Sequence, residues 1–432
     1  MLINFRFQNC RSFYQESTLS MQAVKDNELK EINTFTVLDK LLPKGEEELL
    51  KSAIIFGGNA SGKTNIIKAI SYMRNVVLSS ASQYPIVQMN QPYAFYQDAD
   101  REGSLYEVEI IQNGTYYRYG FIICEGKIKE EWLDRRKEKL VNVFKRVGSS
   151  IDVVGINKQA SKVINLSPNA LFLSGVQYFN LDIADALNDV MVWFNNLLIV
   201  FENQANSLDI YTLEGGKYKD AALRILQLAD IGIKRMEVRK DKIANMADFN
   251  DVMRLNTQMQ ANPTMARGQI KQEDANLFNI DMRTYFKVFN AEKNYTGKEK
   301  HIDLFKDAGF HSEGTIRLLC YLGWLLVALD KGMVVLVDEL DSKLHFLVAD
   351  YLLKMFNSID KNPKNAQLIC TAHNIMLMDE DFRRDQIYFT SKDSYGESHL
   401  VALSDFKNVR KTDLFSKKYL AGFYSKLPDM ND

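Results

Sequence analysis

One segment constrains this 432-residue chain more than any other: residues 57–64 read Gly-Gly-Asn-Ala-Ser-Gly-Lys-Thr. The apolar run 53–56 comes directly before it, and Ile66, Ile67 and Ile70 follow at the spacing of one helical face. A glycine-rich loop between a strand and a helix can bind phosphate, because backbone N–H groups and the helix N-terminus converge on the anion. The order of these elements therefore predicts an α/β fold with a P-loop nucleotide site.

Each residue type in this loop has an expected role. Gly57 and Gly62 allow the backbone to turn tightly and to approach a phosphate. Lys63 is expected to reach the β- and γ-phosphates of ATP, and the Thr64 hydroxyl is expected to hold Mg²⁺. The predicted ATP-binding residues are the members of the loop and the start of the helix: Gly57, Asn59, Ala60, Ser61, Gly62, Lys63, Thr64 and Asn65.

A second motif lies far downstream, where the apolar run 334–337 is followed by Asp338 and Glu339. Asp338 is predicted to complete the Mg²⁺ shell, and Glu339 is predicted to orient and polarise the attacking water. An apolar strand that ends in two acids is common by itself. Together with the P-loop it predicts an enzyme that hydrolyses ATP to ADP and phosphate.

Two further segments are weak signals alone but become informative because of their positions relative to the P-loop and the acidic strand. Ser312, Glu313 and Gly314 open a long apolar helix, with Ser312 suited to the N-cap; alone, this is an ordinary capped helix. His373 ends the apolar run 369–372, and a neutral imidazole there can hydrogen-bond a γ-phosphate. A lone histidine in such a place is more often structural.

With these four motifs in this order, the sequence resembles the ATP-binding-cassette (ABC) ATPases of the SMC, Rad50 and RecF type, and more closely the prokaryotic AAA_15 proteins related to the OLD family. The resemblance implies that Ser312, Glu313 and Gly314 contact the γ-phosphate held by a second subunit, in a homodimer or higher oligomer joined by ATP. It also implies that Asp341 lies in the D-loop along the dimer seam.

The resemblance extends to the first strand. Residues 7–13, Phe-Gln-Asn-Cys-Arg-Ser-Phe, are similar to the family's Asn-Phe-Arg-Ser-Phe segment, which implies that Arg11 lies near the nucleotide. The glutamine that follows the first lobe in cassette ATPases is harder to assign, and Gln91 and Gln97 both remain candidates.

Relatives of this kind include the ATPase subunits of the anti-phage systems Septu and PARIS, which work with a separately encoded effector. The resemblance therefore implies a defence ATPase that senses or scaffolds and controls an effector protein, expected to be a nuclease. The residues after Glu339 are too few for the nuclease domain of OLD relatives, so no intrinsic nuclease is expected.

The main alternative is a RecF-like ATPase that binds DNA in repair or maintenance. With 54 Lys and Arg against 55 Asp and Glu, no global basic field favours DNA, although a local groove could still bind it. The basic clusters 135–137, 234–235 and 239–242 are the segments that this alternative needs, but acids are interleaved with them. The motor subunit of a membrane transporter is disfavoured, because the longer leucine-led signature is absent.

The pattern along the chain predicts three regions. Residues 1–147 are a strand-rich N-terminal lobe with the P-loop, 148–282 a mostly helical insert with a mobile loop near 244–276, and 283–432 the C-terminal ATPase lobe. The sequence contains no heptad run long enough for a long coiled coil and no apolar run of about 18 residues that would span a membrane. A cytoplasmic protein without a membrane partner is therefore expected.

Overall fold

A computed structural model describes most of the chain: residues 1–37, 41–42, 48–82, 85–153, 167–176, 185–201, 213–214, 216–229, 232–242, 278–304, 307, 309–407, 409 and 413–424. The mobile loop predicted near 244–276 lies outside the described residues.

The described residues form strands and helices in the following order. The strands are β1 (Leu2–Gln8), β2 (Ser17–Ser20), β3 (Thr34–Thr36), β4 (Glu48–Leu50), β5 (Ser52–Gly57), β6 (Ser104–Gln112), β7 (Thr115–Cys124), β8 (Lys127–Arg136), β9 (Leu140–Val147), β10 (Ser150–Val153), β11 (Leu198–Val200), β12 (Arg235–Lys242), β13 (Phe278–Phe289), β14 (Tyr295–Asp303), β15 (Val334–Val337), β16 (Gln367–Thr371), β17 (Ile387–Lys392) and β18 (Ser398–Ala402). The α-helices are α1 (Lys30–Asn33), α2 (Lys63–Ser79), α3 (Ala99–Glu102), α4 (Phe172–Val176), α5 (Asp185–Asn195), α6 (Gly216–Leu228), α7 (Glu313–Lys331), α8 (Phe346–Asn357) and α9 (Phe415–Leu420).

The chain divides into two compact units. The first unit comprises Met1–Ile199, Gly332–Leu340 and Asp350–Asp432, and the second comprises Val200–Lys331 and Asp341–Ala349. The P-loop, Asp338, Glu339 and His373 all belong to the first unit.

A seven-stranded sheet in the first unit has the strand order β10-β9-β8-β7-β6-β1-β2. All six of its pairings are antiparallel. The side chains of Tyr106, Val108 and Ile110 on β6 are buried, and so is Glu107 between the first two, where it pairs with Arg6 and Arg118. Six of the seven strands of this sheet, all except β10, lie within residues 1–147, the region that the sequence predicts to be strand-rich.

A six-stranded sheet carries the nucleotide motifs, in the order β11-β15-β16-β5-β17-β18. The neighbouring strands β15, β16, β5 and β17 pair in parallel, and β18 is antiparallel to β17. The strands β5, β15 and β16 read as continuous apolar runs because parallel strands are buried on both faces. Their carboxyl ends lie at one edge of the sheet, which is where open α/β sheets bind ligands.

Gln367 links the two sheets. Its fully buried side chain accepts a hydrogen bond from the Leu2 N–H at 2.6 Å and donates to the Leu2 and Leu50 carbonyls at 3.0 and 3.1 Å. Helix α2 packs against α5, where the Arg74 guanidinium donates to the Phe194 carbonyl at 3.0 Å. These contacts hold the sheets and the P-loop helix in one core.

The second unit contains the antiparallel sheet β12-β13-β14 and the helices α6 and α7. The two helices pack together, and Tyr218 on α6 donates its hydroxyl hydrogen to Asp330 on α7 at 2.7 Å. Helix α7 begins at Glu313, as predicted, and β15 covers the predicted run 334–337.

The predicted insert at 148–282 is not confirmed as mostly helical. Its described residues include the strands β10, β11 and β12 as well as the helices α4, α5 and α6, and the predicted boundary between 282 and 283 falls inside β13. The strand β12 reads Arg-Met-Glu-Val-Arg-Lys-Asp-Lys, so its charges conceal the alternation that marks a half-buried strand. Its partner strand β13 begins at Phe278, well beyond the end of β12 at Lys242, so nothing in the local sequence of β12 indicates this pairing.

Candidate nucleotide site

The P-loop leaves the carboxyl end of β5 and leads directly into α2. A Cβ at Gly57 would lie 2.5 Å from the Thr390 carbonyl oxygen, and one at Gly62 would lie 2.6 Å from the Ser398 hydroxyl. Gly62 also has a φ of 116°, a conformation that side-chain-bearing residues rarely adopt. Both glycines predicted from the motif are therefore required by close packing, and Gly62 also by its backbone conformation.

The loop holds Lys63 and Thr64 in the positions that the motif predicts. The Lys63 ammonium, which is buried, donates to the Gly57 and Gly58 carbonyls at 2.8 and 3.2 Å. The Thr64 hydroxyl donates to Asp338 Oδ1 at 3.1 Å. The structure thus brings together the hydroxyl and the carboxylate that were predicted to share a magnesium ion, although 274 residues separate them.

Glu339 and His373 also lie together at this edge. Glu339 Oε1 is 3.3 Å from His373 Nε2, and both side chains are partly exposed. Glu339 has a φ of 53°, which is uncommon for a residue with a side chain. The acid predicted to orient water and the histidine predicted to hydrogen-bond the γ-phosphate are therefore neighbours.

Thr371 connects these groups, and its role was not predicted from the sequence. Its fully buried hydroxyl donates to Asp338 Oδ1 at 2.8 Å and accepts from the Glu339 N–H at 2.7 Å. The Thr371 carbonyl also accepts from the Leu340 N–H at 3.0 Å. The signal available in the sequence was a threonine at the end of an apolar strand, two residues before His373, but only strand pairing shows that it contacts both acids.

A second set of hydroxyls supports the P-loop from the other side of β5. The Ser61 and Thr390 hydroxyls are 2.6 Å apart, and Asn65 donates its amide to the Ser12 hydroxyl at 2.8 Å. Ser398 in turn donates to the Ser12 hydroxyl at 2.8 Å. Asn65 was predicted to bind nucleotide, whereas Ser12, Thr390 and Ser398 were not identified, because nothing in their local sequence distinguishes them from other hydroxyl residues.

Arg11 follows the first strand in a left-handed turn, with a φ of 55°. Its N–H donates to the carbonyl of Gln91 at 2.7 Å, so one candidate for the glutamine loop lies beside it. The neighbouring Ser12 belongs to the hydroxyl set that contacts Asn65. The structure therefore brings the Arg11 backbone to the P-loop helix through its neighbour, and the role of its guanidinium remains a prediction.

The remaining predicted site residues belong to the second unit. The Ser312 hydroxyl accepts from the Thr315 N–H at 3.1 Å, which confirms that it caps α7. Glu313 forms an ion pair with Lys343, and a Cβ at Gly314 would collide with the Lys343 carbonyl oxygen. Gly314 thus lets the loop 341–345, which contains the buried Asp341, lie against the first turn of α7.

His311 lies directly before this capped helix. Its Nε2 is 2.9 Å from the Thr284 hydroxyl, and the rings of Phe286 and Phe310 pack against it. Burial lowers the pKa of His311 below its usual value, against a weaker opposite effect of Asp307. The histidine at 345 instead caps α8, where its Nδ1 accepts from the Leu347 N–H at 3.2 Å.

The residues at the carboxyl edge fit ATP and magnesium. Mg²⁺ prefers oxygen ligands, and Thr64 and Asp338 offer a hydroxyl and a carboxylate within hydrogen-bond distance of each other. Lys63 supplies a positive charge inside a glycine-rich loop whose backbone leads into a helix N-terminus, the arrangement that binds phosphates. Among the described residues, no helix is both long and apolar enough to cross a membrane.

The central sheet, the P-loop and the acids at the carboxyl edge define an α/β P-loop ATPase. The chain belongs to the AAA_21 family, described as "AAA domain, putative AbiEii toxin, Type IV TA system", whose model matches residues 52–379. The match supports the predicted P-loop ATPase, whereas the assignment to the ABC type stays a prediction.

A curated relative supports the SMC-like character of the chain. The chromosome partition protein Smc of Methanocaldococcus jannaschii is 25% identical over 168 residues, which cover 34% of this chain. The matched part spans 14% of the length of that relative. The similarity is therefore to a segment of Smc, and the narrower resemblance to AAA_15 and OLD proteins stays a prediction.

Proposed function

We propose that the chain hydrolyses ATP to ADP and phosphate at the carboxyl edge of the six-stranded sheet. The observation that carries this proposal is the connected group of Thr64, Asp338, Thr371 and Glu339. It places a hydroxyl and a carboxylate that could hold Mg²⁺ beside a second carboxylate, that of Glu339, which is partly exposed. Lys63 binds the β- and γ-phosphates, and Asp338 and Thr64 hold the Mg²⁺, which neutralises phosphate charge. Glu339 orients the water, and His373 hydrogen-bonds the γ-phosphate.

Replacement of the carboxylate tests this assignment. Glu339→Gln keeps the shape of the side chain and removes the base, so we expect unchanged ATP affinity and hydrolysis slowed by about 10² or more. Glu16→Gln, which neutralises a half-exposed acid that directly precedes β2 and pairs with Arg6 at 3.4 Å, is the control and should behave as wild type. Wild-type turnover by the Glu339→Gln variant would exclude Glu339 as the water-orienting residue.

The site is proposed to be completed in trans. Ser312, Glu313 and Gly314 expose the start of a capped helix next to the loop of Asp341, and a helix N-terminus favours an anion such as a γ-phosphate. In a homodimer or higher oligomer, each P-loop would then face this segment of another subunit.

Mixing two inactive variants tests the trans arrangement. Lys63→Ala should not bind ATP productively, and Ser312→Arg should bind ATP but not hydrolyse it. A mixture should regain activity, because one composite site in each mixed dimer then has an intact P-loop and an intact Ser312. A mixture that stays inactive, although sedimentation with ATP shows mixed dimers, would exclude action in trans.

The cellular role is proposed to be that of a sensor or scaffold subunit in an anti-phage defence system that controls a separately encoded effector, expected to be a nuclease. Two observations support it: the resemblance to defence ATPases and the family description, which names a toxin and a toxin–antitoxin system. Expression with the product of the adjacent gene should reduce phage plating, and Lys63→Ala should abolish the reduction. Equal protection by that variant would contradict an ATP-dependent role.

A RecF-like function in DNA maintenance is the alternative, and the similarity to Smc is the observation that keeps it open. The basic residues that it requires are partly neutralised: Lys234 and Arg235 pair with Glu299 at 2.7 and 2.9 Å. Arg235 also lies over the ring of Tyr285, 3.3 Å from its centroid. Strong salt-dependent DNA binding that is lost in a Lys234→Ala/Arg235→Ala variant would favour this alternative.

A further inference from the structure

A cluster of aromatic side chains on the first unit is exposed to solvent, although rings of this size are usually buried. This aromatic patch consists of Tyr14, Phe95, Tyr96 and Tyr395 together with the buried Tyr93, on which they pack or to which they bond. Phe95 and Tyr395 are 68% and 72% exposed, and Tyr96 is 38% exposed. Exposed aromatic groups that lie together on a folded protein mark interaction sites more often than single apolar residues do.

The patch is held in a fixed arrangement. The ring of Tyr96 lies 4.4 Å from that of Tyr14 and 4.9 Å from that of Tyr93, and the ring of Phe95 lies 5.6 Å from that of Tyr93. The buried Tyr93 donates its hydroxyl hydrogen to the Tyr395 carbonyl at 2.8 Å. Phe95 also packs on Gly396, where an added Cβ would lie 3.1 Å from the ring. Little ordering entropy would therefore be lost when a ligand binds to these rings.

Carboxylates surround the rings. Tyr14 donates its hydroxyl hydrogen to Glu102 at 2.5 Å, and Asp393 accepts from the N–H groups of Tyr395 and Glu397 at 2.9 Å each. The pKa of Tyr96 is raised by burial first and then by Glu397 and Asp393, so the charged groups that act on this ring are acids. Two basic side chains near these carboxylates contact acids: Arg101 pairs with Asp98 at 3.3 Å, and His399 Nε2 lies 3.4 Å from Asp393.

An exposed aromatic surface with an acidic border matches one ligand chemistry. A cation gains from the faces of the rings and from the carboxylates at once, whereas a nucleic acid phosphate is repelled by those carboxylates. Arginine fits best, because its guanidinium stacks on aromatic rings and forms paired hydrogen bonds with carboxylates. We propose that the aromatic patch binds an arginine- or lysine-bearing segment of a partner protein.

The patch is directly connected to the nucleotide site. The residue after Glu397 is Ser398, whose hydroxyl packs against Gly62 of the P-loop and donates to Ser12. Ser12 in turn accepts from Asn65 at the start of α2. A partner bound to the hairpin that joins β17 and β18 would therefore contact a segment that packs directly on the P-loop. Binding of ATP at the P-loop could in this way change the affinity for the partner.

This inference adds the chemistry of the partner to the proposed function and rests on it only for the idea that a partner exists. Binding and hydrolysis are measured separately, so the failure of one does not imply the failure of the other. The probe is a fluorescein-labelled peptide of three Arg-Gly-Gly repeats, with a Glu-Gly-Gly peptide of equal length as the negative control and a 15-nucleotide oligo-dT as the nucleic acid arm. Fluorescence anisotropy with the full chain gives each Kd.

We expect the arginine peptide to bind and the glutamate peptide not to bind. A Phe95→Ala/Tyr395→Ala variant should bind the arginine peptide about tenfold more weakly, as the loss of two ring faces predicts. Glu102→Gln keeps the acceptor for Tyr14 and removes the charge, so it should weaken binding about threefold at low salt and less at high salt. ATP hydrolysis and the melting temperature of the double variant should match wild type.

Phe423→Ala is the matched control, because Phe423 is also 68% exposed but lies in the C-terminal segment beyond α9. It should leave the Kd for the arginine peptide unchanged. The proposal is overturned if the double variant binds the arginine peptide as wild type does, if Phe423→Ala weakens binding equally, or if oligo-dT binds more tightly than the peptide and displaces it.

Discussion

Thr371→Val is the most informative single substitution in this structure. The Thr371 side chain is fully buried, and its hydroxyl makes one hydrogen bond to the Asp338 carboxylate and one to the Glu339 N–H. Valine replaces the hydroxyl by a methyl group of similar size, so the change removes these two bonds and leaves the packing nearly intact. Any effect can therefore be assigned to the hydroxyl.

The structure sets the expected magnitude. A hydrogen bond to a charged group is worth about 1.5–3 kcal/mol, and a buried N–H without an acceptor costs about 1–3 kcal/mol. Because the site can admit water at its partly exposed edge, we expect the free energy of unfolding to fall by about 2–4 kcal/mol. Denaturation by urea, with and without ATP, measures this loss.

The expected effect on activity differs from the effect on stability. Glu339 has a left-handed backbone that costs of order 1 kcal/mol and persists only where neighbours hold it. Two hydrogen bonds to Thr371 do so: the Glu339 N–H donates to the Thr371 hydroxyl, and the Leu340 N–H donates to the Thr371 carbonyl. Valine removes the first of these bonds. Glu339 should then lose its position, and kcat should fall about tenfold or more, whereas ATP affinity should change little. Asp338 also loses a donor, so a higher Mg²⁺ concentration should be needed for half-maximal rate.

Two variants separate positioning from general destabilisation. Thr371→Ser retains the hydroxyl and should restore most of kcat and of the Mg²⁺ dependence. Thr34→Val deletes another buried hydroxyl, which donates to the Lys30 carbonyl at 2.6 Å, and should reduce stability without changing the Mg²⁺ dependence. The reasoning is refuted if Thr371→Val keeps the wild-type kcat and Mg²⁺ dependence, or if serine and valine behave alike.

Three further predictions follow from single contacts. Gly62→Ala should weaken ATP binding at least about tenfold, because Cβ would meet the Ser398 hydroxyl at 2.6 Å. Gly309 also has a positive φ but has open space around it, so Gly309→Ala is the control and should leave ATP affinity unchanged. Equal losses of affinity in both variants would mean that backbone strain alone is responsible. Gly314→Ala should lower the unfolding free energy by about 1–3 kcal/mol by pushing on the Lys343 carbonyl, whereas Gly216→Ala meets no atom and should not; unchanged stability of Gly314→Ala would refute this contact. The folded pKa of His311 lies below its unfolded value, so its stabilising effect is present above about pH 6.5 and is lost as the pH falls below it. The His311→Gln variant should therefore lose less stability than wild type between pH 7.5 and pH 5.5 in urea titrations, and identical losses would contradict the assignment.

The site was largely predictable where its chemistry depends on short, ordered motifs. Residues 57–64 specify their own loop, because the glycines, the lysine and the threonine are required at fixed spacing. The apolar run before Asp338 identified a buried parallel strand, and Ser312 identified a helix start that the structure confirms. Local sequence was sufficient to predict the local structure in each case, since a loop, a buried strand or a helix start depends on neighbouring residues in the chain.

The supporting groups were not predictable for the opposite reason. Thr371, Thr390, Ser12 and Ser398 carry common hydroxyl side chains, and their partners are distant in the chain. The aromatic patch is also assembled from three separate segments, around Tyr14, Tyr96 and Tyr395. No periodicity within one of these segments indicates that it contacts the other two.

The sequence by itself determined the class of this protein: an α/β ATPase with a P-loop, two acids after a buried strand and a histidine after the next parallel strand. Only the tertiary structure decided that β16 lies between β5 and β15, and that Thr371 therefore contacts both acids. The same holds for the sheet of β12, β13 and β14, which the predicted boundary at 282 had divided. The physical reason is that spacing along the chain encodes local backbone geometry, whereas contacts between distant strands depend on how the apolar faces pack together.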